Sequence, residues 1–599
     1  MCTTETAAGP LARRTHFTRD AVVGFCRCLG ALAAAALMFG WACAETPAPP
    51  AQRTTSLGVV IGNDDAASAG TYSWKGIPFA KPPVGALRWK APADAAPWTT
   101  PRLTQRFGNA CASLGRVYGP GFNNRYDATI GASLDKFVGS EDCLYLNIWR
   151  PATATQMLPV IVFVYGGSNI TGYTADPIYD GAMLAKTANA VVVTVNYRLG
   201  VLGFFRSPYL KTGDPQDDSG NFALLDLIKA LQFVNRNIAS FGGDAGRVSL
   251  MGESAGAVNV YALMTSPLVV KAKPALVHGV LPLSGGISRS ENLPPGAFPV
   301  LYPATVFETQ ANALLAQLLI ADGLATDAAG AQAYIAARKA GEMADYLRGK
   351  SADVVLLTVL AKLKPMGLSG SNPVPDGHVL AENPIDAIKA GQYLKVPVLA
   401  GNTRDEGKLF PGLLALSPAL GGVSGRLLTD EQVFTMAFHY DPNATPATKL
   451  EDWIPAAYLP MAKPVTGYNA RMETLNNFWF KPLRDNVLGA LKSQQGNVWY
   501  YSFEWDQEPA PFNEIFGAAH AFDLPFVFGN FGPAVWSNIM FTKANQPGRL
   551  ALSDAMMRSI GAFARSGDPN DASLGVSWPA WPKTLVFDAT ATAKAIRVQ

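Results

Sequence analysis

A serine hydroxyl attacks a carbonyl at neutral pH only when a base removes its proton and a third group orients that base. Ser254 sits in a setting suited to this, within Gly252-Glu253-Ser254-Ala255-Gly256. The apolar run Val248-Ser249-Leu250-Met251 precedes it and small residues follow. That order predicts a strand entering a helix through a turn too tight for side chains, with the serine hydroxyl lifted clear of the sheet. With 56 glycines in 599 residues a Gly-x-Ser-x-Gly pentapeptide is weak alone. The context strengthens it: Phe241-Gly242-Gly243-Asp244 supplies a turn and Arg247 to Met251 a β-prone run, in the confirming order.

Five histidines compete for the role of base. His16 lies in the leader, His439 in an insertion, His378 in a turn after Asp376-Gly377, and His278 is expected in a structural role at a helix end. His520 follows the last alternating strand, between Gly517-Ala518-Ala519 and Ala521-Phe522-Asp523. Chains with such an elbow place the histidine last, which selects His520. For the acid, Gly401-Asn402-Thr403-Arg404-Asp405-Glu406-Gly407 follows a buried apolar strand, and spacing alone leaves Asp405 and Glu406 equal. The developing oxyanion needs amide donors. Ala255, directly after the nucleophile, supplies one, and the glycine-rich loop Tyr165-Gly166-Gly167-Ser168-Asn169 supplies the others.

These groups need a scaffold that brings distant strand ends together. Leu158 to Val164 and Ala190 to Asn196 are nearly all apolar, as strands buried on both faces are. Helical spacing runs from Asn221 to Ile238, and Val280 to Gly286 and Val396 to Gly401 are further core strands. Val498 to Phe503 alternates as a last strand, and Ala551 to Phe563 is a closing helix. Strands alternating with helices predict an α/β architecture: a mostly parallel central sheet flanked by helices. Two long helical stretches, about 300 to 365 and 411 to 490, are expected as insertions over the active site, since pockets in such sheets open at the strands' carboxyl ends.

A chain that is 49% hydrophobic and 16% charged can bury a large core. Residues 1–44 read as a signal peptide: a basic stretch to Arg27, an apolar run from Leu29 to Phe39, and Ala42-Cys43-Ala44 for cleavage. That run is too short for a bilayer, which needs roughly 20 residues. The expectation is an exported protein, periplasmic or secreted, with a disordered arm at 45–56 and one catalytic domain over 57–599. No integral membrane segment is expected in the mature chain. The leader removes four of the 49 basic and two of the 46 acidic side chains, leaving a near-neutral remainder with no footprint for nucleic acid. Four of the six cysteines fall in the leader. Cys111 and Cys143 remain, and in an oxidising compartment they are expected to form one disulfide.

Together the motifs resemble the type-B carboxylesterase family, which includes cholinesterases and bacterial p-nitrobenzyl-type esterases. The resemblance is carried by Gly76-Ile77-Pro78-Phe79-Ala80, Glu141 to Asn147, Asn196-Tyr197-Arg198-Leu199-Gly200, Phe241 to Asp244, Gly252 to Gly256, Asp405-Glu406-Gly407 and Gly529. It implies an α/β-hydrolase fold and a serine ester hydrolase working through an acyl-enzyme, with no cofactor or metal. It further implies Ser254 as nucleophile, His520 as base, Glu406 as orienting acid, Gly167, Ser168 and Ala255 as oxyanion donors, a Cys111–Cys143 bridge, and Ser284 as support for Glu406.

Three positions depart from the family pattern. Ser168 replaces a third glycine or alanine, and Asp523 stands where glutamate is usual. The segment between Cys111 and Cys143 holds Tyr118, Phe122, Tyr126 and Phe137 but no tryptophan, where cholinesterases place one against quaternary ammonium. Choline esters are therefore poor substrate candidates, and small to medium uncharged aryl or alkyl esters are expected. A non-catalytic interaction domain of the same fold is the alternative from another class, but it typically lacks a triad member and this chain has all three. An amide or carbamate is the alternative scissile bond.

Overall fold

The apolar runs form the centre of an eleven-stranded sheet in the computed structural model, which describes residues 50–415, 429–439, 441 and 448–599. Leu158–Val164 and Val191–Val195 are buried at every position and pair in parallel. The strand Gly243–Glu253 flanks Leu158–Val164 on its other side. From there the sheet continues in parallel through Gly279–Leu283, Val398–Thr403, Val498–Phe503 and Leu585–Phe587. Antiparallel strands finish both edges: Tyr145–Pro151, Thr71–Pro78 and Asn63–Asp65 on one, Arg597–Val598 on the other. Parallel register puts the carboxyl ends of the central strands along one rim, which is where the residues after Glu253, Thr403 and Phe503 emerge.

Helices cover the sheet. Ala255–Met264 is buried along its whole length, so its apolar, small-residue sequence suits a helix enclosed on all sides. The closing helix extends over Gln546–Ser566, beyond the 551 to 563 periodicity, because Pro547 fits its first turn and Gly567, at φ 77°, ends it. Residues Pro49–Gln599 form one compact unit. Among the described residues no helix is long and apolar enough to cross a membrane.

Several expectations need correction. Residues 52–55 are not a disordered arm: Gln52–Thr55 pairs antiparallel with Gly58–Ile61, and the buried Trp74 indole donates to the Ala51 carbonyl at 2.7 Å. Residues 45–49 of that arm and the leader lie outside the described residues. The 300 to 365 stretch is helical, yet it contributes no side chain to the active-site cavity. Leu314, Leu315, Leu318 and Leu319 of Ala304–Ala321 instead build a separate core with Trp89, Leu202 and Phe205. The 411 to 490 stretch does reach the cavity, through Leu413, Asp430, Val433, Trp453 and Tyr468; its positions 416–428, 440 and 442–447 lie outside the described residues. His278 ends no helix: it precedes the strand Gly279–Leu283, and its Nδ1 accepts from Val248 N at 3.3 Å. Cys111 and Cys143 form the disulfide, and both are buried.

Candidate active site

Gly243–Glu253 ends and Ala255–Met264 begins with only Ser254 between them, and Ser254 adopts φ 55°, ψ −121°. That region is unfavourable for a residue with a side chain and is held only where the surroundings enforce it. The neighbouring strand enforces it here: a Cβ at Gly256 would lie 2.1 Å from the Val164 carbonyl oxygen, so the helix can approach this closely only with glycine. Ser254 N donates to Leu283 O at 2.8 Å, tying the turn to the next strand.

The loop after Leu158–Val164 lies directly on this turn. A Cβ on Gly166 would come within 2.8 Å of the Ser254 Cβ. Gly167 at φ 99° and Ser168 at φ 55° follow, and both line the same cavity as Ser254. Ala255 opens the helix, where the first amides have no partner within the helix.

Glu406 and His520 come from the next rim positions. Asp405 N donates to the Ala518 carbonyl at 2.9 Å and Ala518 N donates back to the Asp405 carboxylate at 3.1 Å, which docks the histidine loop on the end of Val398–Thr403. This brings His520 Nδ1 to 2.5 Å from Glu406 Oε2. The other carboxylate oxygen of Glu406 accepts from Asn402 Nδ2 at 2.8 Å and Thr403 N at 3.0 Å. Ser284 does not support Glu406: its buried hydroxyl has no hydrogen-bond partner among the described residues. Asn402 holds the carboxylate instead, and its place four residues before Glu406 was the available signal.

His520 Nε2 lies 3.1 Å from Glu253 Oε1, without the alignment of a hydrogen bond. Among the described residues it makes no hydrogen bond to Ser254, although both line the cavity; such bonds are often long before substrate arrives. Burial pulls the imidazole down, but the Glu253 and Glu406 carboxyls outweigh it and its pKa is raised. Burial pushes the Glu253 carboxyl up, against the opposing pull of His520. Glu253 is a site residue the motif contained and the sequence reading passed over.

The cavity holds about 370 Å³. Leu409, Phe410, Trp453, Phe516 and Trp536 make an apolar and aromatic wall beside His520, and Tyr118 enters from the disulfide-closed segment. Polar groups sit at Arg116, paired with Asp430, and at Asp176, whose carboxyl burial raises to about 7. Among the described residues no cluster of side chains is suited to hold a metal ion.

The model of the carboxylesterase family matches residues 49–595. The chain belongs to this family. A fumonisin B1 esterase of Sphingopyxis macrogoltabida is 32% identical over 538 residues, covering 90% of this chain and 85% of that protein. The para-nitrobenzyl esterase of Bacillus subtilis (strain 168) is 29% identical, covering 90% of this carboxylesterase and 95% of the relative. A solved PNB esterase structure superposes with a TM-score of 0.66 at 26% identity, over 91% of this chain and 97% of the other. The α/β-hydrolase fold and the serine ester hydrolase class follow for this carboxylesterase.

Proposed function

We propose that this carboxylesterase cleaves uncharged aryl and alkyl esters of small to medium size through an acyl-enzyme on Ser254. Ser254 Oγ bonds to the ester carbonyl carbon as its proton passes to His520 Nε2. The carbonyl π pair moves onto oxygen, where the amides of Gly167, Ser168 and Ala255 receive it. Collapse of this intermediate expels the alkoxide, which leaves as the alcohol with the proton from His520. Water then repeats the sequence on the acyl-enzyme and releases the acid. Glu406 holds the imidazole orientation and stabilises its protonated form.

The observation that carries this reading is the shared cavity of Ser254 and His520, with Glu406 on the far imidazole nitrogen. The aromatic wall supports uncharged esters, since burying such surface is favourable and a charged group there would lose its hydration. A panel of p-nitrophenyl esters graded in acyl length, assayed on wild type and Ser254→Ala, tests it. Ser254→Ala should lose more than about 10³-fold in turnover across the panel. Wild-type turnover in a purified Ser254→Ala sample overturns the assignment.

The leader reading extends this proposal: residues 1–44 are removed on export to the periplasm or medium, leaving a catalytic domain that takes in the strand Gln52–Thr55. The basic-then-apolar leader and the Cys111–Cys143 bridge support it. Amino-terminal sequencing of protein recovered outside the cytoplasm should begin at Glu45, and a chain there still starting at Met1 overturns it.

A further inference from the structure

Two consecutive residues of the Gly166–Asn169 loop, Ser168 and Asn169, hold φ angles of 55° and 56°. Side-chain-bearing residues occupy that region at a cost, so something must hold the loop there. A fully buried polar cluster does. Asn169 Oδ1 accepts from Asn259 Nδ2 at 2.9 Å and faces the Tyr197 hydroxyl at 3.1 Å. Asn169 Nδ2 lies 3.5 Å from Asn259 Oδ1, so the two amides face each other reciprocally. The Asn169 carbonyl accepts from Gly200 N at 2.6 Å. Tyr197 OH is also 2.8 Å from the carbonyl of Tyr165, at the other end of the loop, and shares its single hydrogen between the two ends.

Asn259 stands on Ala255–Met264, five residues after Ser254. The amide pair therefore joins the loop to the helix that the nucleophile starts. Asn169, Asn259 and Tyr197 are all fully enclosed. Apolar side chains would bury more favourably in such a place, whereas directional bonds fix one register.

We propose that the Asn169–Asn259 pair, braced by Tyr197, is a positioning device that sets the Gly167 and Ser168 amides against the carbonyl oxygen attacked by Ser254. None of the three side chains lines the cavity, so they act through the loop. The inference rests on the reading of Gly167 and Ser168 as oxyanion donors.

The test compares an ester with its thiono counterpart, in which sulfur replaces the carbonyl oxygen and is a weak acceptor. Wild type, Asn259→Ala and Tyr197→Phe are measured for kcat, KM and melting temperature on both substrates. Wild type should strongly prefer the oxo ester. Asn259→Ala should lose about 10- to 100-fold in kcat on the oxo ester with KM little changed, and its oxo preference should shrink in step. Tyr197→Phe, which removes only the hydroxyl, should move the same way by less, and it decides alone if Asn259→Ala does not fold. A wild type without oxo preference sinks the oxyanion reading itself. An intact wild-type preference that both variants retain, with unchanged kcat or with kcat and melting temperature falling together, overturns the positioning role.

Discussion

His520 Nε2 faces Glu253 Oε1 at 3.1 Å while its Nδ1 faces Glu406 Oε2 at 2.5 Å, so one imidazole lies between two buried carboxyls. Both carboxyls raise the imidazole pKa, and Glu253 and His520 titrate as a coupled pair. The proposed base works only when neutral, so its raised pKa holds activity back at low pH. Glu253→Gln removes one of the raising charges and leaves those of Glu406 and Asp523. The acidic limb of the kcat/KM profile, which reports the free enzyme's base, should therefore move to lower pH. A limb that stays in place or moves upward would refute the coupling.

Ser254 and His520 were legible because each belongs to a local pattern, an elbow and a small-residue loop after the last long strand. The central sheet was legible for a similar reason, since Leu158–Val164 and Val191–Val195 are apolar throughout. Asp405 and Glu406 were not separable, because adjacent residues at a strand end differ only in direction, and tertiary contacts set that direction. The Asn169–Asn259 pair spans 90 positions and leaves no local trace. Ser284 was assigned by resemblance, and its hydroxyl finds no hydrogen-bond partner among the described residues. In the 300 to 365 stretch, Ala304–Ala321 buries Phe307, Leu314, Leu315, Leu318 and Leu319, and such a run of apolar residues says that the helix is packed but not against what.

Asp176 offers a stability test independent of turnover. Burial raises its carboxyl to about 7, while the unfolded chain titrates near about 3.9. Between these values the folded state holds the extra proton, so stability falls as pH rises. Asp176→Asn keeps an acceptor for Ile178 N, which donates to Asp176 Oδ1 at 2.9 Å, and removes the ionisation. Relative to wild type, its melting temperature should climb from about pH 5 to about pH 8. A pH-independent difference would show that Asp176 is not titrating in this window.

The Cys111–Cys143 bridge closes a segment of 32 positions that brings Tyr118 and Arg116 to the cavity. Reduction frees this segment in the unfolded chain and should cost roughly 2–4 kcal/mol. Melting curves with and without reductant, on protein whose thiols are counted by alkylation, would check this. Equal curves after complete reduction would mean that packing alone holds the segment.

The last test separates the neighbouring acids. Glu406 gives one oxygen to His520 Nδ1 and the other to Asn402 and Thr403, so Glu406→Gln replaces the orienting oxygen or turns a donor toward the ring. Turnover should fall by as much as about 10⁴-fold with KM little changed. Asp405 points away: its Oδ2 accepts from Ala518 N at 3.1 Å and from the Arg404 guanidinium at 2.7 Å, and its Oδ1 is 3.7 Å from Lys408 Nζ. Asp405→Asn keeps an acceptor for Ala518 and weakens ion pairs that are partly open to solvent, a loss below about 1 kcal/mol. Its catalytic effect should be confined to small shifts of the His520 loop. Turnover and melting temperature measured in parallel distinguish the two acids. Collapse of turnover in Asp405→Asn beside near-normal turnover in Glu406→Gln would reverse the assignment and make the Glu406–His520 contact incidental.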